Sequence, residues 1–136
     1  MNGTLVDSNV ILDLVSNDPT WADWSEKMLC HYEQKGPLFI NPIIYSEVSI
    51  GFERIEVLDR VLTDCYFEWL ELPREALFLA GKAFLQYRRQ QGSKTSPLPD
   101  FFIGAQAAVQ QLSLLTRDRG RYRSYFPTIE LISPGT

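Results

Sequence analysis

The chain has 136 residues, 45% hydrophobic and 12% aromatic, with 13 basic and 17 acidic side chains and a formal net charge of −4. That is about one domain in length, with enough apolar content for a sizeable core, which excludes disordered and fibrous classes. No apolar run approaches the roughly 18–20 residues of a membrane span, and the first residues lack a basic n-region and a small-residue cleavage site, so a soluble, cytoplasmic protein is expected.

GTLVD (3–7) reads as a buried strand, and NVILDLV (9–15) as a short helix capped by Asn9 or Ser8. Asp18-Pro19 and Gly36 frame a helix over 18–36, with Trp21, Trp24, Met28 and Tyr32 along one stripe. PLFIN (37–41) is a second strand, and Pro42 opens a helix to about Gly51. FERIEVLDRVL (52–62) is helical, YFEWLEL (66–72) strand-like, and PREALFLAGKAFLQYRRQQ (73–91) an amphipathic helix opened by proline. After the loop GSKTSPLP (92–99) come a helix, DFFIGAQAAVQQ (100–111), a strand, LSLLT (112–116), and a last strand, TIELIS (128–133). No repeat or linker interrupts the series, so residues 1–136 form a single domain. Alternating strands and helices predict the α/β class, with a central, mainly parallel sheet flanked by helices. Ligands of such sheets bind beyond the carboxyl ends of the strands.

Acids gather at those ends. Asp7 closes the first strand, Asp118 follows the strand ending at Thr116, Asp100 opens the helix leading into that strand, and Glu47 lies in the helix after the second strand. Each alone fits an ordinary role as a cap, a turn residue or a solvated helix acid. Together they place four carboxylates at one functional edge. Glu53, Glu56, Asp59, Glu68, Glu71 and Glu75 fall on faces expected to meet water, and Asp13 on the outer face of its short helix.

Charge is unevenly spread. Residues 1–75 carry 14 acids and 5 bases, residues 76–136 carry 3 acids and 8 bases. Arg88, Arg89 and Lys94 form one basic cluster and Arg117, Arg119, Arg121 and Arg123 another, which suits a polyanion as well as a solvated face. Cys30 and Cys65 lack metal-ligand spacing and lie among apolar or aromatic neighbours, the setting of buried reduced thiols. The sole histidine, His31, has no companion ligand and reads as structural or surface.

LVDSNVILDL, NPIIYSEVSIGF, PDFFIGAQAAVQQLSLLTRD and RGRYRSYFPTIELISP, in this order, resemble the PIN domain, in particular the toxin nucleases of VapBC-type toxin–antitoxin pairs. The resemblance spans essentially the whole chain. It implies a PIN-like fold, with the family's four acids on Asp7, Glu47, Asp100 and Asp118, and supporting polar positions on Asn9 and Thr116. Ser8 stands where threonine is more usual, keeping the hydroxyl, and Gly104 where alanine is more usual, keeping small size beside a close helix–sheet contact. The fourth acid is the least uniform feature of such families.

Carboxylates crowded at neutral pH repel, and a bound cation or a proton must relieve them. All-oxygen donors suit Mg²⁺ or Mn²⁺. Such an ion offsets phosphodiester charge and acidifies a water for in-line attack. With this chemistry, the PIN resemblance implies a metal-dependent endoribonuclease that leaves a 5′-phosphate and a 3′-hydroxyl. Asp7 and Asp100 would hold the principal ion, Glu47 and Asp118 complete the pocket, and Ser8, Asn9 and Thr116 support them. The arginine clusters and Lys94 would hold RNA. The resemblance further implies a toxin that forms a homodimer and pairs with a cognate antitoxin in a groove between early helices; the helices carrying Trp21, Trp24 and Met28 and Ile55, Leu58 and Leu62 suit such a groove, although apolar stripes of this kind usually face the core. Two other readings stand beside it: a PIN-like module that binds RNA or protein without cutting, and a haloacid-dehalogenase-like phosphohydrolase. The second lacks an acid at position 9, where Asn9 cannot transfer the proton.

Overall fold

A computed structural model describes residues 2–90, 92–93 and 98–135. Thr4–Val6 form β1, Ser8–Val15 α1, Ala22–Glu33 α2, Leu38–Ile40 β2 and Pro42–Val48 α3, which a 3₁₀ turn extends to Gly51. Ile55–Asp64 form α4, Phe67–Trp69 β3, Arg74–Arg89 α5, Pro99–Gln110 α6, Ser113–Leu115 β4, Gly120–Tyr125 α7 and Leu131–Ile132 β5. The strands make a five-stranded sheet in the order β3-β2-β1-β4-β5, parallel at every pairing. A wholly parallel sheet must be covered on both faces, which explains the unbroken apolar runs of β1 and β2, buried at each residue. Among the described residues no helix is long and apolar enough to cross a membrane.

The elements follow the pattern in the sequence, with shifts at their ends. The first helix is capped by Asp7 itself, whose carboxylate accepts from the Ser8 backbone N–H at 2.8 Å, and not by Ser8 or Asn9. Helix α2 begins at Ala22; the Asp18 carboxylate instead closes a turn onto the Thr20 and Trp21 N–H groups. Residues 52–54 stay outside α4, which starts at Ile55. One element has no counterpart in the sequence reading: α7, six residues in an arginine-rich stretch too short and too polar for an apolar period to register. Contrary to the expectation for buried thiols, Cys30 is exposed and Cys65 half-buried, and both are free.

Two features position the site. Leu5 pairs with Leu114 and Val6 with Leu115, so the register between β1 and β4 sets Asp7 beside Thr116 where the strands end. Behind the sheet edge, fully buried Asn41 caps α3 through the Ile44 N–H at 2.8 Å and donates to Gln106 of α6, also at 2.8 Å. Gln106 in turn donates to the Glu71 carbonyl at 2.9 Å. This network locks the helix that carries Glu47 against the helix that carries Asp100, with its buried polar atoms partnered.

Gly104 of α6 lies against the Phe126 ring, not the sheet: a Cβ there would come within 2.4 Å of the ring. Alanine therefore cannot enter without displacing a buried aromatic. Gly81 of α5 has open space where its Cβ would stand. Urea titration should find Gly104→Ala destabilised by about 1–3 kcal/mol from overpacking, and Gly81→Ala stabilised by about 0.5–1 kcal/mol from helix propensity alone.

Candidate active site

Asp7 ends the central strand and is 5% exposed. Its Oδ2 accepts from Thr116 Oγ1 at 2.8 Å, from the Tyr122 hydroxyl at 2.9 Å and, at 3.4 Å, from Asn9 Nδ2. Its Oδ1 accepts the Ser8 N–H. Burial pushes the Asp7 carboxyl above its usual range and the Asp100 charge adds to that, against the opposing pull of the Thr116, Tyr122 and Ser8 hydrogen bonds.

Glu47 sits half-buried on α3, its Oε1 accepting from Ser8 Oγ at 2.9 Å. Burial raises its carboxyl too, and the charges of Asp7 and Asp100 raise it further. Asp100, in the first turn of α6, pairs with Arg121 Nη1 at 3.1 Å. The Arg121 guanidinium lies over the Tyr87 and Phe101 rings, 5.4 and 5.9 Å from their centroids. The Asp100 charge thus reaches both Asp7 and Glu47, and the Asp7 charge reaches Glu47, while the Tyr122 hydroxyl, also raised well above its usual value, first by burial, feels all three.

Asp118 stands apart. It is exposed, its carboxylate accepts the Gly120 N–H at 3.0 Å at the start of α7, and its own N–H donates to Thr116 Oγ1 at 3.0 Å. Of the other polar residues, Ser8 bonds Glu47, and Thr116 and Asn9 bond Asp7, with Asn9 also accepting the Arg117 N–H at 3.1 Å. Tyr122 went unread, because neither its helix nor its inward direction shows in the spacing.

The basic residues divide. Arg117 turns inward and forms a two-bonded pair with Asp13, its Nη2 at 3.0 Å from Oδ1, while its guanidinium covers Trp21 at 5.3 Å. Asp13 is 5% exposed, so the reading of it as a water-facing acid is corrected by a partner 104 residues away. Arg88 and Arg89, at the end of α5, and Arg119 and Arg123, around α7, are exposed. Lys94 lies outside the described residues. The expected helical groove is also redrawn: Leu58 and Leu62 are core and Trp24 and Met28 pack against it, whereas Ile55 is exposed. A neighbouring apolar trough runs between α2 and the α4–β3 turn, floored by Leu14, Leu29, Leu38 and Phe67 and edged by Glu26, Glu33 and Asp64.

In donor chemistry the three carboxylates fit a hard cation, since the Asp7 carboxyl is raised in part by the Asp100 charge and the Glu47 carboxyl in part by the charges of Asp7 and Asp100, which a positive ion would offset. Among the described residues no three such groups converge into a ready-made cage, because Asp100 is turned to Arg121. Magnesium does not need one, as it takes one or two carboxylates and keeps several waters.

The sequence model of the family described as PIN domain matches residues 4–126. No curated protein matches the sequence. Among solved structures the chain is similar to VapBC2 from Rickettsia felis bound to a DNA fragment from its promoter, with a TM-score of 0.72 and 16% identity over 98% of each chain. It is similar to VapBC-1 from nontypeable Haemophilus influenzae, with a TM-score of 0.72 and 18% identity over 98% of each chain. A toxin–antitoxin complex from Klebsiella pneumoniae gives a TM-score of 0.64 and 22% identity over 97% of this chain and 98% of that one. At these identities the likeness is one of fold.

The raised Glu47 carboxyl has a consequence for stability. A carboxyl whose folded value exceeds its unfolded value binds more protons when folded, so the protein loses stability as pH rises through that folded value. Glutamine keeps the acceptor for Ser8 and has no charge to bury. Without metal, Glu47→Gln should melt about 1–3 °C above wild type at pH 7, and calorimetry should find the difference gone near pH 4, where Glu47 holds its proton.

Proposed function

The chain belongs to the PIN domain family, and we propose that it is a divalent-metal-dependent endoribonuclease, the toxin of a VapBC-type toxin–antitoxin pair. One observation carries the reading: Asp7, Glu47 and Asp100, delivered by three different elements, share one patch of negative charge at the carboxyl edge of a parallel sheet. Mg²⁺ or Mn²⁺, when bound there, supplies positive charge against the phosphodiester and a more acidic water for in-line attack.

Asp7 and Asp100 hold the ion in this proposal. Glu47, with Oε1 held by Ser8, would take the proton of the attacking water. Asp100 is paired with Arg121 in this structure, and with Asp100 on an ion the Arg121 guanidinium would be free for the substrate phosphate. Arg119, Arg123, Arg88 and Arg89 hold the RNA backbone on either side, positioning it without reading sequence. Asp118 serves by setting the start of α7. The acid-edged apolar trough suits an antitoxin segment in which apolar side chains are flanked by Lys or Arg.

The test is cleavage of end-labelled RNA by the purified chain. Discrete fragments should form with Mg²⁺ or Mn²⁺ and vanish with EDTA, and Asp7→Asn and Asp100→Asn should each lose about 100-fold or more in rate with the fold intact. Asp118→Asn should lose less than about 10-fold, as expected of a group acting at one remove. Metal-independent fragments, or full activity in Asp7→Asn, would sink the proposal. RNA binding with no cleavage under either metal would point to the non-cutting module.

A further inference from the structure

The two oxygens of the Asp7 carboxylate are not equivalent. A carboxylate offers about four lone-pair sites, two on each oxygen. On Oδ2 three donors converge, from Thr116, Tyr122 and Asn9, whereas among the described residues Oδ1 accepts the Ser8 N–H alone. The hydroxyl protons have little choice of direction. Thr116 Oγ1 accepts the Asp118 N–H at 3.0 Å and Asn9 Nδ2 at 3.2 Å, and of the two acceptors for its own proton Asp7 Oδ2, at 2.8 Å, is nearer than the Asp118 carbonyl, at 3.3 Å; the Tyr122 hydroxyl is buried, with Tyr122 only 1% exposed. Oδ2 is therefore filled from inside the protein, and the lone pair left for a ligand is on Oδ1.

We propose that Tyr122 is a positioning residue that, together with Thr116, saturates Oδ2 of Asp7 so that the carboxylate meets the divalent cation through Oδ1 alone. The inference rests on the metal-dependent reading of the site. The χ2 torsion of an aspartate is broad and roughly two-fold, so an unrestrained carboxylate would rotate and offer either oxygen or both. Two neutral hydroxyls remove that freedom without cancelling the charge that attracts the ion. They come from two elements distant in sequence, the end of β4 and the middle of α7, so the orientation set by Ser8 and Asn9 is completed by the fold. The plainer account is that a buried tyrosine hydroxyl needs some acceptor and Asp7 is at hand. The two accounts differ in what the hydroxyl does for a bound ion.

Tyr122→Phe keeps the buried ring and removes only the oxygen. Calorimetric titration of Mn²⁺ into the full chain, beside Asp7→Asn, separates the outcomes. The wild type should bind Mn²⁺ and Asp7→Asn should not, and Tyr122→Phe should bind about 10–100-fold more weakly. In RNA cleavage, Tyr122→Phe should have a lower kcat at limiting metal, partly restored by added Mn²⁺, with KM for RNA within about twofold, because the arginines that hold the backbone are untouched. Mn²⁺ affinity within twofold of wild type, whatever the melting temperature, would make Tyr122 merely structural and overturn the inference while leaving the nuclease reading in place. A wild type without Asp7-dependent Mn²⁺ binding would overturn both. Should Tyr122→Phe not fold, Thr116→Val removes the other hydroxyl from the same oxygen, and unchanged Mn²⁺ affinity there would equally refute the saturation of Oδ2.

Discussion

A carboxylate held almost out of water at the end of the central strand is the constraint on which this molecule depends. Ionised Asp7 is costly to bury unless donors replace its lost hydration. Those donors come from three places: the first N–H of α1, the threonine at the end of β4 and the tyrosine of α7. The parallel register between β1 and β4 is therefore more than a way to fill the core. Slipping it by one residue would carry Thr116 off Asp7 and would also reverse which side chains of the strand face each layer of helices.

The uneven charge along the chain takes on a different meaning in three dimensions. From sequence, the two basic clusters of the second half suit a polyanion as well as a solvated face. In the fold, Arg117 and Arg121 are internal partners of acids from elsewhere, each held over aromatic rings. The Arg117–Asp13 pair fastens the end of β4 to α1, and with the Asn9 contact to the Arg117 N–H it fixes the loop on which Thr116 depends. The remaining arginines at α7 and the end of α5 keep their charge at the surface. The basic half thus both pairs with buried or half-buried acids and keeps charge at the surface.

What the sequence discloses and what it conceals divide along the range of the interactions. Strands such as LVD and FIN, and helices opened by Pro42 or Pro73, are written in local apolar runs and turn residues, and their order is enough for the fold class. Asp7, Glu47 and Asp100 are legible because strand ends can be read and acids counted there. Asp13 is not, since nothing in a single helix turn says that a partner 104 residues away will bury it. The Asn41–Gln106 bond is hidden for the same reason, although an Asn before Pro-Ile-Ile and a Gln inside FFIGAQAAV are the kind of polar residues that only a buried network explains. Cys30 fails in the other direction: apolar neighbours in sequence said nothing about which face of α2 it would take.

Helix α7 shows how a short element can govern a site it barely enters. Its consecutive residues face different acids: Arg121 reaches out to Asp100 and Tyr122 reaches in to Asp7, as the turn of about 100° per residue allows. Six residues cannot hold such a helix in place by their own hydrogen bonds. Asp118 seats its first N–H, and Phe126, just past its last residue, lodges against the bare backbone of Gly104 on α6, the helix that also carries Asp100. A larger residue at 104 would lift Phe126, and with it the pair of side chains that arrange the two acids. The small residue in α6 and the exposed acid in the turn before α7 therefore bear on the same geometry from its two ends, though neither touches the Asp7 carboxylate.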